Sequence, residues 1–334
     1  MTPLLPEGLR DRLPPHADAA AALEARVLAA VGRHGYERVD PPLAEFADAL
    51  GTRLKAGGLR DAVRYVDPLT QRTIAIRPDM TAQVARVAAT RMGHHPRPVR
   101  LSYAGSVLKL RGSELSPARE LRQIGCELVG LDTVAAATEM VTVAAEALAA
   151  AGVAGASIDF ILPDLVDTLA AGPLPVAPAQ LPTLRERLDA KDAGAVAAIA
   201  PDYLPLIAAA GPFGTALARL RAFDAVGVLA SRLDGLAALA ARVPDGVGVT
   251  LDPTERHGFE YQTWLGFSLF ADRLASALPA PERRRLFLPL DTPAATGAEL
   301  RAGGWVTVAA LEPGDTPEAQ LCTHVWQDGT ARPL

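Results

Sequence analysis

Two polar side chains flank a glycine on one face of a predicted strand near the middle of the chain. In the segment 119–130, Gln123, Gly125 and Glu127 alternate with apolar residues. Successive side chains of a strand point to opposite faces, so these three share one face. Gln123 and Glu127 stand about 13 Å apart along the strand, so side chains leaning inward could grip a molecule the size of an amino acid. The alternative is an ordinary strand face turned to water, and spacing does not decide between them.

A carboxylate and a hydroxyl lie at a predicted strand-to-helix junction, in the segment 77–81. Asp79 could bind an ammonium group there. Equally, Asp79 and Thr81 could serve only to cap the helix that follows, which is a common role of these residue types. The sequence leaves both interpretations open.

Two further segments are candidates for binding. The predicted strand 258–270 has one face that either lines a cleft or is simply wetted, formed by Glu260, Gln262, Trp264, Gly266 and Ser268. The basic run 283–285 suggests either a phosphate patch or the solvated face of a helix. The chain has no Gly-rich phosphate loop and no nucleophile-elbow motif.

Composition excludes several classes of protein. The chain has 334 residues, of which 49% are hydrophobic and 21% charged, and its net charge is −5. This is a globular composition, and its mild acidity provides no overall attraction for nucleic acid or anionic membranes. Cys126 and Cys322 form no metal or disulfide pattern. The first residues lack the features of a signal peptide, so we expect a cytoplasmic protein without metal or cofactor.

The elements that must position these residues form an α+β pattern. Ile124, Cys126 and Leu128 would face helices. Hydrophobic spacing predicts helices over 16–34, 81–92 and 132–151, the last capped by Asp132. Predicted strands are 36–39, 73–76, 99–103, 107–111, 119–129, 157–162, 247–251, 258–270 and 305–311. We expect an antiparallel sheet flanked by helices, with a core of 1–162 and 245–282, a helical insertion of 163–244 and a short C-terminal segment of 283–334.

The ordered segments resemble the catalytic core of the histidyl-tRNA synthetase family, a class II aminoacyl-tRNA synthetase family. The most specific similarities are RPDMTAQVAR at 77–86 and RELRQIGCELVG at 119–130. The opening 5–14, the helix 16–34 with the residues up to Pro42, and the segment 258–263 also resemble it. The resemblance implies a class II synthetase-like fold and a dimer formed through the first-motif region, 16–42.

The resemblance also implies a histidine site. Residues at matching positions would bind the amino and imidazole groups of histidine, and these are Asp79, Thr81, Gln123, Glu127, Tyr261 and Gln262.

The nucleotide side departs from the family pattern at four positions. Lys109 stands where the family has the arginine that binds the α-phosphate, and Arg111 replaces the acid that reads adenine. Pro117 and His257 replace two further arginines. The Gly-rich third motif has no equivalent after residue 270, and the residues beyond 283 are too few for the usual anticodon-binding module. We therefore expect a degraded adenylation site.

Histidine recognition without activation resembles the family of ATP phosphoribosyltransferase regulatory subunits. That resemblance implies a non-catalytic partner of a short-form catalytic subunit, in which L-histidine acts as a ligand and neither tRNA nor a membrane is a partner. Possible partner contacts are Lys55, the loop 111–119 and the segment 286–290. The alternatives are a divergent histidyl-tRNA synthetase and a stand-alone histidine-binding paralogue.

Overall fold

The protein is described here by a computed structural model, which covers residues 4–51, 62–112, 117–162, 164–255, 264–277 and 284–334. The helices, in chain order, are α1 (His16–Gly32), α2 (Ala47–Gly51), α3 (Thr81–Thr90), α4 (Val134–Ala151), α5 (Leu165–Ala170), α6 (Leu181–Asp189), α7 (Ala193–Ile199), α8 (Leu204–Ala208), α9 (Phe213–Phe223), α10 (Ala230–Ala240), α11 (Ala271–Ala277) and α12 (Ala294–Ala302). The strands are β1 (Glu37–Arg38), β2 (Ala44–Phe46), β3 (Arg64–Val66), β4 (Thr73–Ile76), β5 (Val99–Leu108), β6 (Glu120–Val129), β7 (Ser157–Ile161), β8 (Gly211–Pro212), β9 (Gly248–Asp252), β10 (Trp264–Phe270), β11 (Arg285–Leu288), β12 (Val306–Ala309), β13 (His324–Gln327) and β14 (Thr330–Pro333).

A four-stranded sheet in the order β1-β5-β6-β10 forms the centre of the larger unit, Met1–Leu278. The strands β5, β6 and β10 are antiparallel, and β1 runs parallel to β5. A mainly antiparallel sheet with helices on both sides confirms the α+β prediction.

Helices α1 and α4 cover one face of this sheet. Their apolar side chains pack with Ile124, Cys126 and Leu128 of β6, as the alternation predicts. Among the described residues, α4 is the one helix long and apolar enough to cross a membrane. Here α4 is a core helix, because it buries Met140 and Val143 against the sheet and its Glu139 side chain pairs with an arginine of β5.

Helix α3 covers the opposite face of the sheet. Met80, Val84 and Ala88 pack there against apolar side chains of β5 and β6. The strand β4, which leads into α3, is the middle strand of a second small sheet in the order β2-β4-β3. The polar candidates on β6 therefore lie beneath α3 rather than on an open surface.

Two predicted local features are wrong. The segments 99–103 and 107–111 were expected to be separate strands, but β5 runs unbroken from Val99 to Leu108 because every residue pairs with β6. The cap of α4 is Thr133 rather than Asp132: Thr133 has extended backbone, and its hydroxyl accepts from the Ala136 N–H. The predicted end of this helix at Gly152 is correct, with a left-handed glycine.

Helices α5 to α10 pack around a separate hydrophobic cluster. Phe160 of β7 and Leu251 of β9 belong to this cluster, together with the helical leucines. The strands β7 and β9 are parallel neighbours, and the two-residue strand β8 adds to β9. Residues 164–244 therefore form a mainly helical layer on a small sheet, in which β7 and β9 were predicted and the two-residue strand β8 was not.

The second compact unit is Pro279–Leu334. Its sheet has the order β12-β11-β13-β14, in which β11 is parallel to both neighbours and β14 is antiparallel to β13. The central strand β11 buries Leu286, Phe287 and Leu288. The exposed residues of this segment are Pro289 and Leu290, and a partner contact at 286–290 stays a prediction.

Candidate functional site

Polar side chains from two elements meet on the face of the central sheet that α3 covers. Asp79 and Thr81 lie at the start of α3, and Gln123 and Glu127 project from β6. All four are buried, with between 0% and 5% of their surface exposed. The alternative of a strand face turned to water is therefore wrong. Buried polar groups need partners, and the arrangement of these partners defines the site.

Asp79 has the capping role that the sequence left open, and it is also bound from the central sheet. Its Oδ1 accepts from the backbone N–H of Thr81 at 2.7 Å, which is a capping interaction at the start of α3. Its Oδ2 accepts from Gln123 Nε2 at 2.6 Å. Gln123 also fixes the helix end, because its Oε1 accepts from the Met80 N–H at 2.9 Å. A buried carboxylate thus stands at a helix N-terminus, with its orientation set from the sheet.

A second chain of hydrogen bonds includes a residue that sequence reasoning missed. The Tyr103 hydroxyl donates to Glu127 Oε1 at 3.0 Å and lies 3.1 Å from the Thr81 hydroxyl. Tyr103 has no exposed surface. The signal that identifies it is the register between strands, which places Tyr103 of β5 directly opposite Gly125 of β6.

Three glycines make room for polar side chains of their neighbours. A Cβ on Gly125 would lie 2.5 Å from the Tyr103 hydroxyl, and a Cβ on Gly266 would overlap the Glu127 carboxylate. Gly105 gives the same space to the guanidinium of Arg77. Gly125 therefore leaves no open space between Gln123 and Glu127, because the Tyr103 phenol occupies it.

Burial controls the ionisation of the two carboxyl groups. Loss of solvent, with a smaller contribution from the nearby Asp79, raises the pKa of Glu127 to about 8, although the hydrogen bonds from Tyr103 and Thr81 oppose the rise. Burial also raises the pKa of Asp79, although its bonds to Gln123 and Thr81 oppose the rise. Glu127 is thus mostly protonated at neutral pH.

A buried cation lies in the loop that leads into α3. Arg77 is 5% exposed and donates to the carbonyl oxygens of Pro41 and Ser106 at 2.7 and 2.8 Å. Among the described residues, no carboxylate forms an ion pair with the Arg77 guanidinium. Its bonds tie the loop between β4 and α3 to β5, and so hold Asp79 and Thr81 against the sheet.

The altered nucleotide positions lie at the far end of β5 and in the following loop. The Lys109 ammonium stands 5.9 Å from the centroid of the Phe270 ring, while Arg119 Nε donates to the Lys109 carbonyl at 3.1 Å. Arg111 and Pro117 are exposed. Arg119 is further bound to the carbonyl of Glu7 at 3.2 Å, so its guanidinium is already engaged by the N-terminal segment.

The remaining sequence candidates do not join the site or lie outside the described residues. Arg284 stacks on Trp305 at 5.2 Å, and Arg285 lies in β11. These two belong to a strand region rather than to a helix face, contrary to expectation. The candidates outside the described residues are Lys55, His257, Glu260, Tyr261, Gln262 and Arg283.

The raised pKa of Glu127 predicts how stability depends on pH. The folded chain holds a proton that the unfolded chain releases above pH 4.5, so this group lowers the free energy of unfolding as pH rises towards 8. The loss is up to about 1.4 kcal/mol for each pH unit. Glu127→Gln keeps the shape without the titration.

Urea unfolding of both proteins at pH 5.5 and pH 7.5 tests this prediction. The variant should gain stability relative to the wild type at the higher pH. The same pH dependence in both proteins would show that Glu127 does not titrate in this range.

With the geometry in place, comparisons with known proteins identify the family. A model of the histidyl-tRNA synthetase family matches residues 8–280. The ATP phosphoribosyltransferase regulatory subunit of Rhodospirillum centenum is 41% identical, over 98% of this chain and 95% of that protein. Its counterpart from Paramagnetospirillum magneticum is also 41% identical, over 96% and 95%.

A solved structure supports the fold. It is titled an ATP phosphoribosyltransferase regulatory subunit/histidyl-tRNA synthetase from Bacillus halodurans, with a TM-score of 0.78, 20% identity and coverage of 96% of this chain and 97% of that one. The histidyl-tRNA synthetase of Nostoc has a TM-score of 0.72 and 14% identity, and the similarity covers 96% of this chain and 90% of that one. This chain therefore belongs to the ATP phosphoribosyltransferase regulatory subunit family, built on the fold of histidyl-tRNA synthetases.

Proposed function

We propose that this chain is a non-catalytic regulatory subunit of ATP phosphoribosyltransferase, required for the first step of L-histidine biosynthesis. The names of its relatives support the partnership with a catalytic subunit. In this proposal the chain works in the cytoplasm as part of a hetero-oligomer and binds neither tRNA nor a membrane.

The same proposal assigns L-histidine to the buried site, through which it exerts feedback inhibition. The observation that carries this assignment is the pair of buried carboxyl groups between α3 and the central sheet. Asp79 lies just before α3, and Glu127 projects from β6. Asp79 is suited to the ammonium group, because Gln123 and Thr81 hold both of its oxygens in place. Glu127, mostly neutral when the site is empty, is suited to a neutral imidazole with one donor and one acceptor nitrogen. Tyr261 and Gln262 remain expected contacts.

The substitutions on the nucleotide side support a role without adenylation. Formation of an adenylate places negative charge on a phosphorus centre, and catalysis of that step depends on fixed positive groups. Lys109 supplies a point charge without the two-pronged contact of an arginine. Pro117 supplies no charge, and Arg119 is bound to backbone carbonyls of Lys109 and Glu7.

The function is tested by mixing the chain with a short-form catalytic subunit and measuring phosphoribosyl-ATP formation with and without L-histidine. The wild-type chain should raise the rate, and histidine should lower it. Asp79→Asn should raise the rate equally, but should need about 10 to 100 times more histidine, because a hydrogen bond to a charged group contributes about 1.5–3 kcal/mol.

The matched control is Asp234→Asn, which removes an exposed carboxylate of α10 whose side chain is 74% accessible. It should behave as the wild type in both measurements. Failure of the wild-type chain to change the rate of the catalytic subunit would contradict the regulatory role, and an unchanged histidine response in Asp79→Asn would remove this site from it.

We also propose that the chain dimerises through the first-motif region, with α1 as the main contact. The exposed face of α1 carries the small residues Ala21, Ala25 and Ala29 at a spacing of four, which lets a second helix approach closely. The edge strand β1 follows directly and has no neighbour beyond β5 within the described sheet.

Ala25→Glu should convert the dimer to a monomer in sedimentation-velocity experiments, because it places a larger, charged side chain in the contact. Glutamate is a good helix former, so α1 itself should persist. The matched control is Ala238→Glu on the exposed face of α10, which should leave the dimer intact. A dimer that survives Ala25→Glu would move the contact away from α1.

A further inference from the structure

An arginine on the helix side of the sheet stands next to the glutamine of the candidate site. Arg122 and Gln123 are neighbours on β6, so their side chains point to opposite faces. Arg122 contacts Glu24 of α1 through two bonds, at 2.7 Å from Nε and 3.0 Å from Nη2. A planar guanidinium that bridges both oxygens of a carboxylate fixes orientation as well as charge.

Asp272, at the start of α11, fixes the backbone at the same point. Its Oδ2 accepts from the Arg122 N–H at 2.6 Å, and its Oδ1 lies 2.7 Å from Nε of Arg12. The Asp272 side chain is only 6% exposed. The position of Arg122 is thus set from α1 through its side chain and from α11 through its backbone.

Gln123, the residue after Arg122, transmits the position of Arg122 to the site. The Gln123 amide has no exposed surface and holds Asp79 with its nitrogen and the start of α3 with its oxygen. Close-packed surroundings leave a side chain of this kind no freedom to compensate for a shift of its own backbone. A displacement of Arg122 therefore changes how Asp79 is held.

The ion pairs are accessible from the surface of α1. A groove of about 490 Å³ is lined by Arg12, Glu24, Arg38 and Arg122 together with small residues of α1, among them Ala21 and Ala25. The side chains of Arg12 and Arg122 are 28% and 33% exposed. Arg38, with half of its side chain exposed, lies 3.8 Å from Glu24. A chain docked on α1 would contact this network directly.

We propose that the Glu24–Arg122–Asp272 network couples the α1 surface to the buried amino-acid site, with Arg122 as a positioning residue for Gln123. A second copy of the chain bound on α1 changes the pairing of Arg122 with Glu24, and this alters the affinity of the site for L-histidine. By linkage, histidine must change the dimer affinity by the same factor. The inference rests on the proposed function, since it assumes that histidine binds beside Gln123.

The first test is the histidine affinity of Glu24→Gln, measured by calorimetry on the full chain. We expect binding about 5 to 20 times weaker than in the wild type, which lies in the usual range for coupled sites. The matched control is Glu139→Gln, which breaks the equivalent two-bond pair of Arg100 with α4 on the same side of the sheet. It should leave histidine affinity unchanged.

The second test asks whether the effect passes through Gln123. Gln123→Met keeps the side-chain volume without the amide, and in this background Glu24→Gln should have no further effect on affinity. Arg122→Lys, which keeps the charge but cannot bridge both Glu24 oxygens, should weaken binding in the otherwise unchanged chain. This variant tests the role of the Arg122–Glu24 pair by itself, and so keeps the coupling testable should Gln123→Met fail to fold.

The outcomes separate the two proposals. No histidine binding by the wild-type chain would overturn the proposed ligand. Wild-type binding with equal affinities for Glu24→Gln and Glu139→Gln would overturn the coupling alone. A Glu24→Gln effect that persists in full beside Gln123→Met, or unaltered binding in Arg122→Lys, would also overturn it. A dimer dissociation constant that histidine shifts in the wild type, but not in Glu24→Gln, would support it.

Discussion

The structure of the site depends on burying polar side chains between α3 and the central sheet. An unpaired buried polar group costs several kcal/mol in an apolar environment, so each must find a partner inside the protein. Gln123 meets this requirement by bonding to both Asp79 and the Met80 backbone. Tyr103 meets it by donating to Glu127. Glycine is required at 105, 125 and 266 because a Cβ at these positions would collide with Arg77, Tyr103 and Glu127, respectively.

The same constraint explains which features the sequence could predict. Alternation along β6 correctly separated the apolar face from the polar one, because burial on α1 and α4 demands a strict period of two. Alternation could not show that α3 covers the polar face. That depends on the hydrogen bonds of Gln123 with Met80 and Asp79, which lie 43 and 44 positions away in the chain. The role of Tyr103 was missed for that reason: its apolar ring fits any core strand, and only the register with Gly125 reveals its partners.

Local errors have equally specific causes. Residues 104–106 were left out of the two predicted strands, but they pair with β6 within one continuous strand, in which Gly105 makes room for Arg77. At α4, Asp132 and Thr133 are both good capping residues, and backbone conformation selects Thr133.

The family relationship gives these details a functional meaning. The resemblance to synthetases implies an amino-acid site and a nucleotide site. This chain buries Asp79 and Glu127 at positions proposed for the first, and it has Lys109, Arg111 and Pro117 at positions expected for the second. The account therefore depends on histidine recognition without activation. Exchange of labelled pyrophosphate into ATP in the presence of L-histidine, run alongside calorimetric titration of histidine, tests this directly. We predict saturable histidine binding and no exchange above the protein-free control. Histidine-dependent exchange would contradict the account, because it requires a working adenylation site.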